Sequence, residues 1–132
     1  MFKANTLFVV GAGASHEFGL PVGLGLSEII KQNSILEFGP FNEIEKGNHA
    51  LFASLKKKYP NTDQESTDKL NERIKAVRRI HDGIYLASSI DNFIDMHSHD
   101  PHIAEMGKLQ IAFSISNAER NSSLFRCECC KS

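Results

Sequence analysis

A four-residue apolar run, Leu7-Phe8-Val9-Val10, stops directly on Gly11-Ala12-Gly13-Ala14-Ser15, and this junction constrains the fold more than any other stretch. A continuous apolar run ending in glycine reads as a strand buried on both faces, as in a parallel sheet. The small residues after it, followed by His16-Glu17-Phe18-Gly19-Leu20-Pro21, predict a strand, a tight turn and a helix start. A phosphate-binding turn has the same needs: backbone N–H groups aimed at oxygens, with no side chains in the way. Glycine allows both the positive φ angles and the close approach. The Ser15 hydroxyl is placed to donate to the same oxygens or to cap the helix. A tight strand-to-helix turn without a ligand fits the same five residues. The dinucleotide fingerprint Gly-x-Gly-x-x-Gly is not met, because its sixth position is His16, so a dehydrogenase loop fits poorly. No acidic residue follows a second strand either, where a ribose partner is expected.

The rest of the chain is patterned for helices. Residues 22–33 carry apolar side chains at Val22, Leu26, Ile29 and Ile30, with Gly23 and Gly25 weakening the start by roughly 1 kcal/mol each against alanine. Residues 37–47, with Gly39-Pro40, read as a loop. Residues 48–59 form a short helix with Leu51, Phe52 and Leu55 on one side, three closing lysines that suit the helix dipole, and Pro60 as its stop. Thr62 and Glu65 have capping-box spacing. They open a long helix in which Leu70, Ile74, Val77, Ile80 and Ile84 recur every three or four residues. Its other face, with Glu72, Arg73 and Arg79, reads as solvated surface. Ser89 is a cap for residues 89–95, and Asp100-Pro101 is a cap followed by a first-turn proline. Ile103, Met106, Leu109 or Gln110, Phe113 and Ile115 then make a core-facing stripe, inside which Gly107 marks close packing. One strand with about four helices leaves the strand nothing to pair with, which points to a truncated α/β domain.

The 132-residue length fits one domain, and a 41% hydrophobic content supports an ordinary core. Fifteen basic and 16 acidic residues give a net charge of −1, so neither nucleic acid nor an anionic membrane is expected as a partner. No run approaches the roughly 18 apolar residues of a membrane span, and the N-terminus lacks the layout of a signal peptide. The cytoplasm is the expected location. Cys127, Cys129 and Cys130 crowd into the last six residues and cannot make a disulfide framework. A closed zinc site needs a fourth ligand that the spacing does not supply. Residues 126–132 therefore read as a disordered tail behind a domain of residues 1–125. His97, His99 and His102 match no catalytic zinc helix, and a polar helix junction explains them better than a metal site. His16, beside the loop, either contacts a bound phosphate or begins the helix on its exposed side. Ser15 has no nameable base partner and is no nucleophile.

The segment Val9-Val10-Gly11-Ala12-Gly13-Ala14-Ser15, followed by Gly19-Leu20-Pro21, resembles the opening of sirtuin-type domains. Further on, Ser89-Ile90-Asp91-Asn92-Phe93-Ile94-Asp95, Gly107-Lys108-Leu109-Gln110-Ile111-Ala112 and Ala118-Glu119 are similar to bacterial sirtuin-like proteins, many of them NAD-consuming and linked to phage defence. The resemblance runs from Leu7 to about Phe125. It implies an α/β fold, a Rossmann-like parallel sheet of sirtuin type, here truncated, with a predominantly helical insertion over residues 32–121. It also implies NAD as cofactor, with Gly11, Ala12, Gly13, Ala14 and Ser15 facing its phosphates, and cleavage of the nicotinamide–ribose bond in intact relatives. Asp91 falls in a matching motif, where a capping or core-contacting carboxylate is the simpler role. Cleavage in such proteins uses an asparagine of an Asn-x-Asp motif and a later histidine followed by glycine, a pair that depends on geometry and pKa. Neither is recognisable. Asn61-Thr62-Asp63 precedes the long helix and is better explained as a cap, and no histidine precedes a glycine. No catalytic or metal-binding residue is assigned, and the short form reads as a truncated gene product. The alternative is a non-enzymatic helical interaction module. In that reading the apolar faces left bare by a missing sheet drive self-association or pairing with a full-length relative.

Overall fold

The computed structural model describes Leu7, residues 11–40 and residues 43–122. Phe8-Val9-Val10 of the expected first strand and the three cysteines lie outside the described residues, whereas Leu7 is exposed. In chain order the elements are α1 (Ala12–His16), α2 (Leu24–Asn33), β1 (Leu36–Phe38), β2 (Ile44–Gly47), α3 (His49–Lys58), α4 (Gln64–Gly83), a 3-10 turn (Ile84–Leu86), α5 (Ile90–Met96) and α6 (Pro101–Asn121). Among the described residues no helix is long and apolar enough to cross a membrane.

The Rossmann-like parallel sheet is not what these residues build. Their only sheet is the antiparallel hairpin β1–β2, with Leu36 opposite Gly47 and Phe38 opposite Ile44. Among the described residues the reason lies in the helical stripes, which pack mainly against one another. Helix α6 packs against α2, α4 and α5. Val77, Ile80 and Ile84, Ile103 and Met106 of α6, Ile30 of α2, and Ile90 and Phe93 of α5 are all buried in one cluster. At about 25 cal/mol per Å² of apolar surface removed from water, this helix-on-helix burial is the main stabilising term.

Several local signals are read directly by the structure. The Asn48 side chain accepts from the Leu51 N–H and caps α3. Ser89 caps α5 through the Asn92 N–H at 3.2 Å, and the Asp100 carboxylate accepts from the N–H groups of His102 and Ile103 ahead of Pro101. Gly107 sits against Ile94 of α5, where a Cβ would come within 2.7 Å of that side chain. Other expectations change. Asp63, not Thr62, caps α4, accepting from the Ser66 N–H at 2.7 Å, and with Ser66 rather than Glu65 at the third helical position the expected capping box does not form. Residues 37–47 are a hairpin rather than a loop, because Leu36, Phe38 and Ile44 supply apolar anchors and Gly47 turns the chain with φ 129°. On α6 the inward residue is Gln110, while Leu109 is 36% exposed.

Gln110 is fully buried and belongs to a polar seam between α2 and α6. The Ser34 hydroxyl lies 2.7 Å from both the Ile30 carbonyl and Gln110 Oε1. One hydroxyl carries one proton and cannot donate to both at once. Turning the Gln110 amide over removes the conflict: Nε2 then donates to Ser34, which donates to Ile30. Asn33 extends the seam, donating to Ser114 and accepting from Asn48 at 2.9 Å.

The face of α4 read as solvated is only partly so. The Arg73 side chain is 13% exposed, lies over the Tyr59 ring at 4.7 Å and pairs with Glu105 of α6 at 3.1 Å. Glu105 also accepts from Lys58 at 2.8 Å and from the Tyr59 hydroxyl at 3.1 Å. The Lys58 hydrogen bond, aided by Tyr59 and Arg73, holds the Glu105 carboxyl below its ordinary 4.5 despite partial burial. A depressed folded pKa stabilises the protein above the unfolded value and ceases to do so as pH falls through the folded one. Wild-type stability should therefore drop on acidification below about pH 4.5, and Glu105→Gln should flatten that part of the profile. Urea midpoints measured across the acid range check this. Parallel slopes for the two proteins would remove Glu105 from the account.

Candidate functional site

Helix α1 begins at Gly11, whose extended backbone (φ −85°, ψ 167°) turns the chain into the helix without a side-chain cap. The first turn closes with the Ala14 N–H on the Gly11 carbonyl at 3.1 Å. Uncapped first-turn N–H groups are the feature an anion uses at a helix start. Among the described residues nothing lies within 4 Å of where a Cβ would sit at Gly11 or at Gly13. Packing against the described residues therefore does not require glycine at either position. Ser15 lies inside α1 and does not cap it. Its carbonyl instead accepts from the Phe18 and Leu20 N–H groups.

His16 ends α1 rather than opening a helix, and it is exposed. Gly19, at φ 82°, reverses the chain so that Leu20-Pro21-Val22 returns past the turn. A groove of about 420 Å³ results, walled by His16, Gly19, Leu20, Pro21, Val22, Gly25 and Ile29. Its walls are mostly apolar and its mouth carries one imidazole. The segment is tied to the body at the far end of α6, where the Ser122 hydroxyl donates to the Phe18 carbonyl at 2.7 Å. The sequence reading named the turn but not the groove. Gly19-Leu20-Pro21 was visible only as a motif, because the groove arises from a chain reversal that no periodicity announces.

The other singled-out residues do not join this site. Asp91 is exposed in the first turn of α5, where Ser89 is the cap, so it neither caps nor contacts the core; its charge suits the helix dipole. The Asn-x-Asp segment is occupied at the start of α4. There Asp63 is the cap, and Asn61 accepts a short hydrogen bond from the Thr67 hydroxyl. His97 is engaged by the Phe93 carbonyl at 2.9 Å and by the Phe93 ring, while His102 faces Glu72 of α4 at 3.4 Å. Among the described residues no three His, Cys, Asp or Glu side chains converge as a metal would need. No protein-family model matches the chain, and no curated protein or solved structure is significantly similar to it.

Proposed function

We propose that the chain binds NAD, with the diphosphate on the turn formed by Gly11, Ala12, Gly13, Ala14 and Ser15. In this reading it is the NAD-binding N-terminal portion of a sirtuin-like NAD hydrolase of the antiphage kind, and it does not cleave NAD alone. The observation that carries the reading is the uncapped turn of α1, sterically open among the described residues and running directly into the groove behind His16. An anion on the first-turn N–H groups gains charge-assisted hydrogen bonds and the favourable end of the helix dipole. The apolar walls of Leu20, Pro21, Val22 and Ile29 offer a flat ring a place out of water, and His16 stands where a phosphate or ribose oxygen would leave the turn. A five-residue helix has a small dipole and the groove is open, so binding is weak. Asn61 and Asp63, the chain's Asn-x-Asp segment, are engaged at the α4 cap, which supports a binding rather than a cleaving role.

Isothermal titration with NAD tests the reading. A dissociation constant in the submillimolar to millimolar range, about −4 to −5.5 kcal/mol, is expected. Gly13→Val should weaken binding tenfold or more by placing a branched side chain over the turn, and no nicotinamide should be released. Absence of heat at millimolar NAD, or equal binding by Gly13→Val, contradicts the proposal.

A second reading, a helical interaction module, draws on a different feature. Leu86, Ala87, Phe93 and Met96 give a mainly apolar floor to a cleft of about 440 Å³ that Arg79, Asp82 and His97 also line, with Leu86 86% and Met96 58% exposed. If the chain works by association through this cleft, sedimentation shows concentration-dependent assembly that Leu86→Ser weakens.

A further inference from the structure

A second cavity lies in the cleft between the hairpin, α3 and α4, and the proposed NAD turn plays no part in it. Its volume is about 290 Å³, and it is lined by Phe38, Phe52, Asn61, Thr67, Leu70, Asn71, Ile74, Lys75 and Arg78. Three features of this cleft point in one direction. Phe38 and Phe52 meet edge to face at 5.4 Å, and with Leu70 and Ile74 they form the apolar part of the lining. The rim is cationic: Lys75 and Arg78 stand one helical turn apart on α4, with Arg78 5.6 Å from the Phe38 ring centre, and outside the lining Lys56 of α3 lies 5.0 Å from the ring centre of Phe52. None of these three cations has a carboxylate partner within 4 Å among the described residues, although Lys46, Lys58, Lys69, Arg73 and Arg79 all do. The amide of Asn71 and the Asn61–Thr67 pair supply hydrogen-bonding groups at the opposite end.

We propose that this cleft binds a planar heteroaromatic ring carrying a phosphate, the chemistry of a nucleoside monophosphate. The ring enters the slot between the phenylalanines and Ile74, where burial and an aromatic edge favour it. The phosphate sits at the Lys75–Arg78 rim, where it supplies the anionic partner that the guanidinium fork and the ammonium lack. Asn71 meets the sugar or the polar edge of the base. The volume lies near the lower bound, roughly 300 Å³, of small-molecule sites, which suits a mononucleotide and not a dinucleotide.

The test is an amide NMR titration of the full chain with AMP, beside adenosine and inorganic phosphate. The expected result is saturable shifts at Phe38, Phe52, Asn71, Lys75 and Arg78 with AMP, and affinities at least tenfold lower for adenosine and for phosphate alone. Lys75→Gln with Arg78→Gln should reduce AMP binding tenfold or more. Both residues are exposed, so the fold should survive, and an unchanged spectrum of the unliganded variant verifies this. Asn71→Ala serves as an independent variant with the same expected direction. Gly13→Val should leave the AMP response intact, which separates this site from the NAD turn. The proposal is overturned by the absence of AMP shifts at these residues, by phosphate binding as tightly as AMP, or by full AMP affinity in the Lys75/Arg78 double variant.

Discussion

Ile80→Ala is expected to cost about 2–5 kcal/mol of folding stability, a large share of what a domain of this size possesses. Ile80 is wholly buried in the cluster that Val77, Ile84, Ile103 and Met106 also build, at the centre of the α4–α6 packing. Removing three carbon atoms there loses their transfer free energy and leaves a cavity that two long helices cannot easily close. Urea unfolding followed by circular dichroism measures the effect. A loss below about 1 kcal/mol would mean that the helices do not depend on packing against each other. The helix-on-helix core would then be the wrong account of stability.

Gly47→Val should be nearly as damaging, about 2–4 kcal/mol, and for a different reason. Gly47 has φ 129°, outside the range a β-branched residue adopts, and it faces Leu36 in the hairpin register. A Cβ at this position would overlap the Ile35 carbonyl oxygen, a backbone atom with no rotamer in which to escape. The strain and the overlap together should break the β1–β2 pairing and loosen Phe38 from Phe52. Thermal melts of this variant check the magnitude, and AMP binding should fall with it. A Gly47→Val protein as stable as wild type would show that the hairpin does not hold this register.

The sequence made the helical elements legible because their signals are local. Ser89 and Asp100 each place a side-chain oxygen where the first free N–H groups of a helix must be met, and Asn48 does the same for α3 although the sequence reading did not single it out. Leu70, Val77 and Ile80 repeat at the helical period and all turn inward. What those stripes pack against was not legible. An apolar stripe is equally suited to a sheet and to another helix, and the family resemblance tipped the expectation toward a sheet that the described residues do not contain. The hairpin is not legible in the sequence, because each strand is only three or four residues long and Gly39-Pro40 hides the alternation. Arg73 looked solvated because charge patterning does not reveal that Glu105, 32 residues on, comes back to meet it. The turn of the candidate site was legible in five small residues. Its groove was not, since Gly19 and Pro21 bring Val22 and Ile29 together only once the chain has reversed.

The most direct measurement is the two-dimensional amide spectrum of the labelled chain with and without NAD. The proposed function predicts dispersed peaks for the helical body and saturable NAD shifts centred on Gly11, Gly13, Ser15, His16 and Val22, all lost in Gly13→Val. A dispersed spectrum in which those residues ignore millimolar NAD would contradict it, leaving a folded helical protein whose glycine turn binds no dinucleotide.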